Sequence, residues 1–273
     1  MNKNSSSSIE RTTALLRVAV AVLGVILLVC VVILLCVLGW KGCSPADGSP
    51  ESDTTAETQA PADTSHVVLP ETADAGIAYQ DRLTFLGDSL TAHLVSRGVL
   101  SGGRDTKQVL RTKSNMLNLD STVTGAQVCL PGTDRYMTVP EAVAELKPEI
   151  LVITLGTDYG VAYLTEKDFK ACYTKLISAI RAAAPDTTLL LQSIFPVSAD
   201  CRVLSNDKID RANGWVREVA AETGCRYLDT QSVLKGRDNC LRPELCISED
   251  GIHLTEEAYR IILAYIRTHA YQE

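Results

Sequence analysis

Histidine is scarce in this sequence. Only His66, His93, His253 and His269 occur among 273 residues, so chemistry that needs an imidazole has few candidates. Aromatic residues make up 5%. The apolar content is carried by Ala, Val, Leu and Ile instead, which suits helices packed on a parallel sheet. The nine cysteines include no paired C-x-x-C, which excludes the zinc-finger and zinc-ribbon patterns. They read mostly as buried thiols, although Cys240 and Cys246 are spaced to pair across a loop. Residues 42–81 contain eight acids and no Lys or Arg, and the remainder from 82 onward is nearly neutral. Without a basic stripe, the electrostatic footprint of nucleic-acid binding is missing. There is no internal repeat.

What is present falls into four parts. Residues 1–17 are polar and net basic, and Val18 to Trp40 is an unbroken apolar run without a charge. At 1.5 Å per residue that run spans about 34 Å, enough to cross a bilayer core. It is longer than the apolar part of a cleaved signal, usually about 7–15 residues. Arg11 and Arg17 precede it, so the positive-inside rule places 1–17 in the cytoplasm, 18–40 as a transmembrane signal anchor, and the rest outside. Cleavage after the run, or a lipoprotein site at Gly42-Cys43, are the alternatives. Residues 41–79, rich in Ser, Thr, Ala, Pro, Asp and Glu, read as a disordered acidic linker. A folded domain is expected over 80–273.

Strand and helix signals alternate in that domain. Leu83–Leu86, Ile150–Leu155, Thr188–Ile194 and Arg226–Leu228 read as strands, with further short ones near 108–111 and 126–130. Helices are expected near 90–95, over 138–146 behind a Thr138/Glu141 capping box, and over 166–184, 207–223 and 256–269. This order predicts an α/β fold, a central parallel sheet with helices on both faces.

The first strand ends on Gly87-Asp88-Ser89-Leu90. A serine at the carboxyl end of a strand, beside the first turn of a helix, is where an α/β sheet presents a nucleophile. A serine hydroxyl needs a base. His66 falls in the linker. His93 lies one turn after Ser89 and can line the site's edge. His269 sits at a helix end, where it suits the dipole. His253 precedes the last helix with Asp250 at i−3. Across a tight turn Asp250 can reach the far ring nitrogen, giving nucleophile, base and orienter. Asp88 is expected to bond backbone amides in its turn.

Gly87-Asp88-Ser89-Leu90 early in the domain, with Asp250-Gly251-Ile252-His253-Leu254 before its last helix, resembles the SGNH or GDSL hydrolase family, in particular its membrane-tethered members from Gram-positive bacteria. The resemblance covers about residues 80–270. It implies a three-layer α/β/α flavodoxin-like domain, esterase activity without metal or organic cofactor, and Ser89, His253 and Asp250 as nucleophile, base and orienter. It also implies an oxyanion hole made by the serine N–H, a second-block glycine and an asparagine. For the glycine, Gly132 is chosen and Gly125 is the alternative.

The third block departs from the family pattern. In Gly156-Thr157-Asp158-Tyr159, Asp158 stands at the asparagine position. An ionised carboxylate accepts hydrogen bonds only and would repel an oxyanion. Three readings stay open: Asp158 is protonated and donates; it turns away and leaves the work to Tyr159 or backbone N–H groups; or the domain binds its ligand without efficient turnover. The expectation is therefore a membrane-anchored, extracytoplasmic serine esterase taking small acyl groups, such as acetyl, from cell-surface carbohydrate. The alternative is a surface binding module on the same fold.

Overall fold

In the buried strand at the centre of the sheet, Leu151 and Ile153 turn to one core while Ile150 and Val152 turn to the other. This period-two division is why the run 150–154 carries no polar face. The computed structural model describes residues 63–247 and 250–272. The expected cytoplasmic segment, the apolar span 18–40 and most of the linker lie outside the described residues. Among the described residues no helix is long and apolar enough to cross a membrane.

The elements are α1 (Gly76–Gln80), β1 (Leu83–Gly87), α2 (Ser89–Arg97), β2 (Val109–Thr112), β3 (Gln127–Cys129), β4 (Tyr136–Thr138), α3 (Val139–Leu146), β5 (Ile150–Thr154), α4 (Glu166–Ala183), β6 (Thr188–Gln192), α5 (Asn206–Thr223), β7 (Arg226–Leu228) and α6 (Glu256–Thr268). The sheet order is β4-β3-β2-β1-β5-β6-β7. β2, β1, β5, β6 and β7 are mutually parallel. β3 and β4 are antiparallel, so the expected parallel sheet is in fact mixed. Only residues 130–135 join β3 to β4, too short for the crossover that parallel pairing needs.

Helices α3, α4 and α5 pack on one face with Phe169, Tyr173, Leu176 and Val216. Helices α2 and α6 pack on the other with Leu90, Leu94, Tyr259 and Ile262. Buried Ala258, Tyr259, Ile262, Leu263 and Ile266 form one stripe of α6, as an amphipathic helix requires. The three layers agree with the expected architecture.

The domain begins earlier than expected. Val67 and Leu69 are buried, Val68 pairs with Tyr227, and the Leu69 N–H donates to Tyr227 O at 2.9 Å. Residues 67–69 therefore belong to the folded domain, and the boundary expected at 79 falls too late in the chain. A few apolar side chains inside the acidic stretch find the free edge of β7 and offset the cost of ordering it. Cys172 and Cys225 are buried, and no disulfide joins Cys240 to Cys246.

Candidate active site

Chain order reverses between β2 and β5 on either side of β1. In such sheets the crevice beyond the carboxyl ends of the strands is where ligands bind. Ser89 follows β1 and Asp158 follows β5, so the two blocks meet there.

The serine turn is built for close approach. A Cβ on Gly87 would lie 2.1 Å from Thr91 Oγ1 and 2.3 Å from Thr154 O, so no larger residue fits between α2 and β5. Asp88 caps α2. Its Oδ1 accepts from the Leu90 N–H at 3.3 Å and its Oδ2 from the Thr157 N–H at 2.9 Å. It thus does more than the expected local bonding: it ties the turn after β1 to the turn after β5. Burial, then the neighbouring charge of Asp158, pushes the Asp88 carboxyl up to about 7.

Asp250 and His253 form a closed turn. Asp250 Oδ1 accepts from the Ile252 N–H at 2.8 Å and the His253 N–H at 3.4 Å. Its Oδ2 lies 2.7 Å from His253 Nδ1. A carboxylate only accepts, so Nδ1 carries the proton and a neutral ring presents Nε2 as its acceptor. Gly251 at φ 74° makes the turn possible, and a Cβ there would lie 2.2 Å from Ser198 Oγ. The loop after β6 holds it in place through the Ser198 N–H, which donates to Gly251 O at 2.8 Å. On the other side, the Tyr259 hydroxyl donates to Leu90 O at 2.7 Å, locking α6 to the serine helix.

His93 joins the two halves. It stands one turn beyond Ser89 on α2, and its ring centroid is 4.9 Å from that of His253. Burial, then His253 and Arg97, hold its imidazole below the ordinary value, which keeps it uncharged. Its buried Nδ1 has no hydrogen-bond partner among the described residues.

Asp158 points into the site. Its Oδ1 accepts from the Ser89 hydroxyl at 2.7 Å and its Oδ2 from the Ser89 N–H at 2.9 Å. One carboxylate therefore occupies both the hydroxyl hydrogen and the backbone N–H of Ser89. Among the described residues no Lys, Arg or His nitrogen lies within 4.0 Å of it to form an ion pair. Tyr159 turns the other way. It stacks on Tyr163 with ring centroids 5.0 Å apart, and it lines a hollow with Asp168, Cys172 and Lys175 of α4. The reading in which Asp158 turns out and Tyr159 replaces it is thereby excluded.

Gly132 is not part of the constellation. β3 runs antiparallel to β2 with Cys129 opposite Arg111, so the following turn falls at the amino end of β2. A Cβ on Gly132 would meet the Lys107 side chain at 3.1 Å. Lys107 precedes β2, so Gly132 lies at the far edge of the sheet from Ser89. The Gly125 N–H already donates to Thr122 O at 2.8 Å. The loop that does leave the carboxyl end of β2 is Lys113-Ser114-Asn115-Met116, which has no glycine. Asn115 takes the left-handed conformation there, at φ 61°. Asn213 and Trp215 of α5 are structural. Buried Asn213 bonds both the N–H and the C=O of Ile194, and Trp215 packs 5.4 Å from Phe169.

A family model described as GDSL-like lipase/acylhydrolase matches residues 85–261. Among solved structures, the chain is similar to a GDSL-like lipase from Bacteroides thetaiotaomicron at 19% identity, covering 71% of this chain and 89% of that one, TM-score 0.46. It is also similar to an acetylxylan esterase from Geobacillus stearothermophilus at 14% identity, covering 76% and 97%, TM-score 0.46. No curated protein matches.

Proposed function

The chain belongs to the GDSL-like lipase/acylhydrolase family, and on that premise we propose that it is a serine ester hydrolase using Ser89, His253 and Asp250. The observation that carries this reading is the 2.7 Å contact between Asp250 Oδ2 and His253 Nδ1, at the same end of the sheet as Ser89. Asp250 fixes the ring so that Nε2 is the basic nitrogen. Nε2 takes the Ser89 proton as Oγ bonds to the ester carbonyl carbon. The carbonyl electrons collapse back, the C–O bond to the alcohol breaks, and the imidazolium returns its proton to the leaving oxygen. Water repeats the sequence on the acyl-enzyme, releasing the acid and restoring Ser89. His253⁺ is stabilised by Asp250, and uncharged His93 beside it adds no competing charge.

Substrate and location belong to the same proposal. The apolar run 18–40 supports a single-pass anchor with the domain outside the cytoplasmic membrane. The esters within reach are then small acyl groups on cell-surface carbohydrate.

A second reading is favoured by Asp158. Two unit charges 4 Å apart interact by roughly 4 kcal/mol at a surface-like dielectric. An ionised Asp158 facing an oxyanion would therefore slow acylation about 10³-fold. On neutral esters the domain would then bind without efficient turnover. Hydrolysis of p-nitrophenyl acetate by the full chain, compared with Ser89→Ala, separates the two. Turnover lost in Ser89→Ala supports the esterase. Binding of acylated carbohydrate with no turnover above the Ser89→Ala background supports the binding module.

A further inference from the structure

We infer that the acyl group this site takes is an α-aminoacyl group, whose ammonium is received by Asp158 while Ser89 attacks the adjacent carbonyl. This rests on the serine-hydrolase reading above and names its substrate class. The two carboxylate oxygens of Asp158 are held at the Oγ and N of the reacting serine. Among the described residues no cation pairs with it. The nearest imidazoles do not supply one. His93 is held uncharged by burial and by His253, and His253 gives its Nδ1 hydrogen to Asp250. The site therefore presents, at the reaction centre, a carboxyl group that has no ion-pair partner among the described residues.

A substrate cation answers that charge only if it lies very near the carbonyl. In an α-aminoacyl ester, the nitrogen is two bonds from the carbonyl carbon, about 2.5 Å away by standard bond lengths and angle. Asp158 Oδ1 is itself 2.7 Å from Ser89 Oγ, so an ammonium at that position comes within hydrogen-bond reach of the carboxylate as the carbonyl meets Oγ. The ammonium also has three hydrogens to give. They replace the two that Ser89 now donates to Asp158. The hydroxyl is freed to turn to His253 and the Ser89 N–H to meet the oxyanion. The repulsion that Asp158 exerts on a neutral ester's oxyanion is then balanced within the substrate itself. The step forms the Oγ–C bond and breaks the C–O bond to the alcohol, with the proton passing from Ser89 through His253 to the leaving oxygen. Water then releases the free amino acid.

The test uses the full chain and three glycerol esters: alanyl in both configurations, isobutyryl as its uncharged isostere, and acetyl. Each kcat/KM is divided by that ester's hydroxide-catalysed rate, because an α-ammonium activates the carbonyl by itself. The expected result is at least a tenfold preference for one alanyl ester over isobutyryl. In Asp158→Asn that preference is lost, with isobutyryl turnover raised. Wild-type preference for acetyl or isobutyryl overturns the inference without any variant, as does a preference for alanyl that Asp158→Asn leaves unchanged. If no ester is hydrolysed but a fluorophosphonate labels Ser89, the aminoacyl inference fails and the serine-hydrolase reading stands. If Ser89 is not labelled either, that reading fails with it.

Discussion

The hydroxyl of Ser89 donates to Asp158 Oδ1 at 2.7 Å, across 69 residues of sequence. The same carboxylate takes the Ser89 N–H, so the proposed nucleophile is held at rest by an acid. Substrate has to displace that grip before attack. Replacing Asp158 by Asn keeps an acceptor for one contact and supplies an amide donor for the oxyanion. Asp158→Asn is expected to raise kcat on p-nitrophenyl acetate at least tenfold, within the 10²–10³ that one oxyanion donor contributes. Steady-state kinetics on the two proteins measure it.

In the proposed mechanism Asp250 orients His253 and stabilises its charged form. Asp250→Ala removes the acceptor of the Nδ1 hydrogen and of two backbone N–H groups. A fall in kcat on the order of 10³–10⁴ is expected, with a smaller change in KM. An unchanged kcat would remove Asp250 from the mechanism.

Two glycines should part company. In Gly251→Ala the new methyl meets Ser198 Oγ in a left-handed turn. It displaces the Asp250–His253 turn, and activity should fall at least a hundredfold. Gly132→Ala also strains a left-handed residue, at φ 78°, and costs about 1–2 kcal/mol of stability. It lies at the opposite edge of the sheet, so kcat should stay within about twofold. Paired melting curves and kinetics distinguish the two effects.

Much of this arrangement was legible in the sequence. The buried strands announced themselves as runs of Val, Ile and Leu, and Asp250 and His253 lie close enough along the chain for local geometry to join them. Three features were not legible. Tyr136–Thr138 is a short strand with no buried residue, so hydrophobic patterning carries no signal for it. Missing that hairpin placed Gly132 at the wrong end of the sheet, because an antiparallel return reverses which end a turn occupies. The packed segment around Val67–Leu69 was hidden by its acidic surroundings, since its apolar residues are few and their partner Tyr227 is remote. The departure at Asp158 was visible, but its direction depends on how β1 and β5 sit side by side.

Asp88 makes stability depend on pH. Its folded value, raised to about 7, exceeds the ordinary carboxylate value near 4. The folded state therefore binds more protons than the unfolded state between those limits. Its contribution is fully present below about pH 4 and is lost as pH rises through about 7, a decline of a few kcal/mol at most. The melting temperature should fall between pH 5 and 8. The fall should be shallower in Asp158→Asn, because the charge of Asp158 is the second cause of the shift after burial.

Ser89 is the proposed nucleophile and His253 its proposed base. Mass-spectrometric mapping of a fluorophosphonate adduct on the full chain tests this assignment most directly. One adduct at Ser89 is expected, slowed at least a hundredfold in His253→Ala and missing in Ser89→Ala. An adduct that persists in Ser89→Ala, or labelling of Ser89 at an equal rate without His253, would contradict the account.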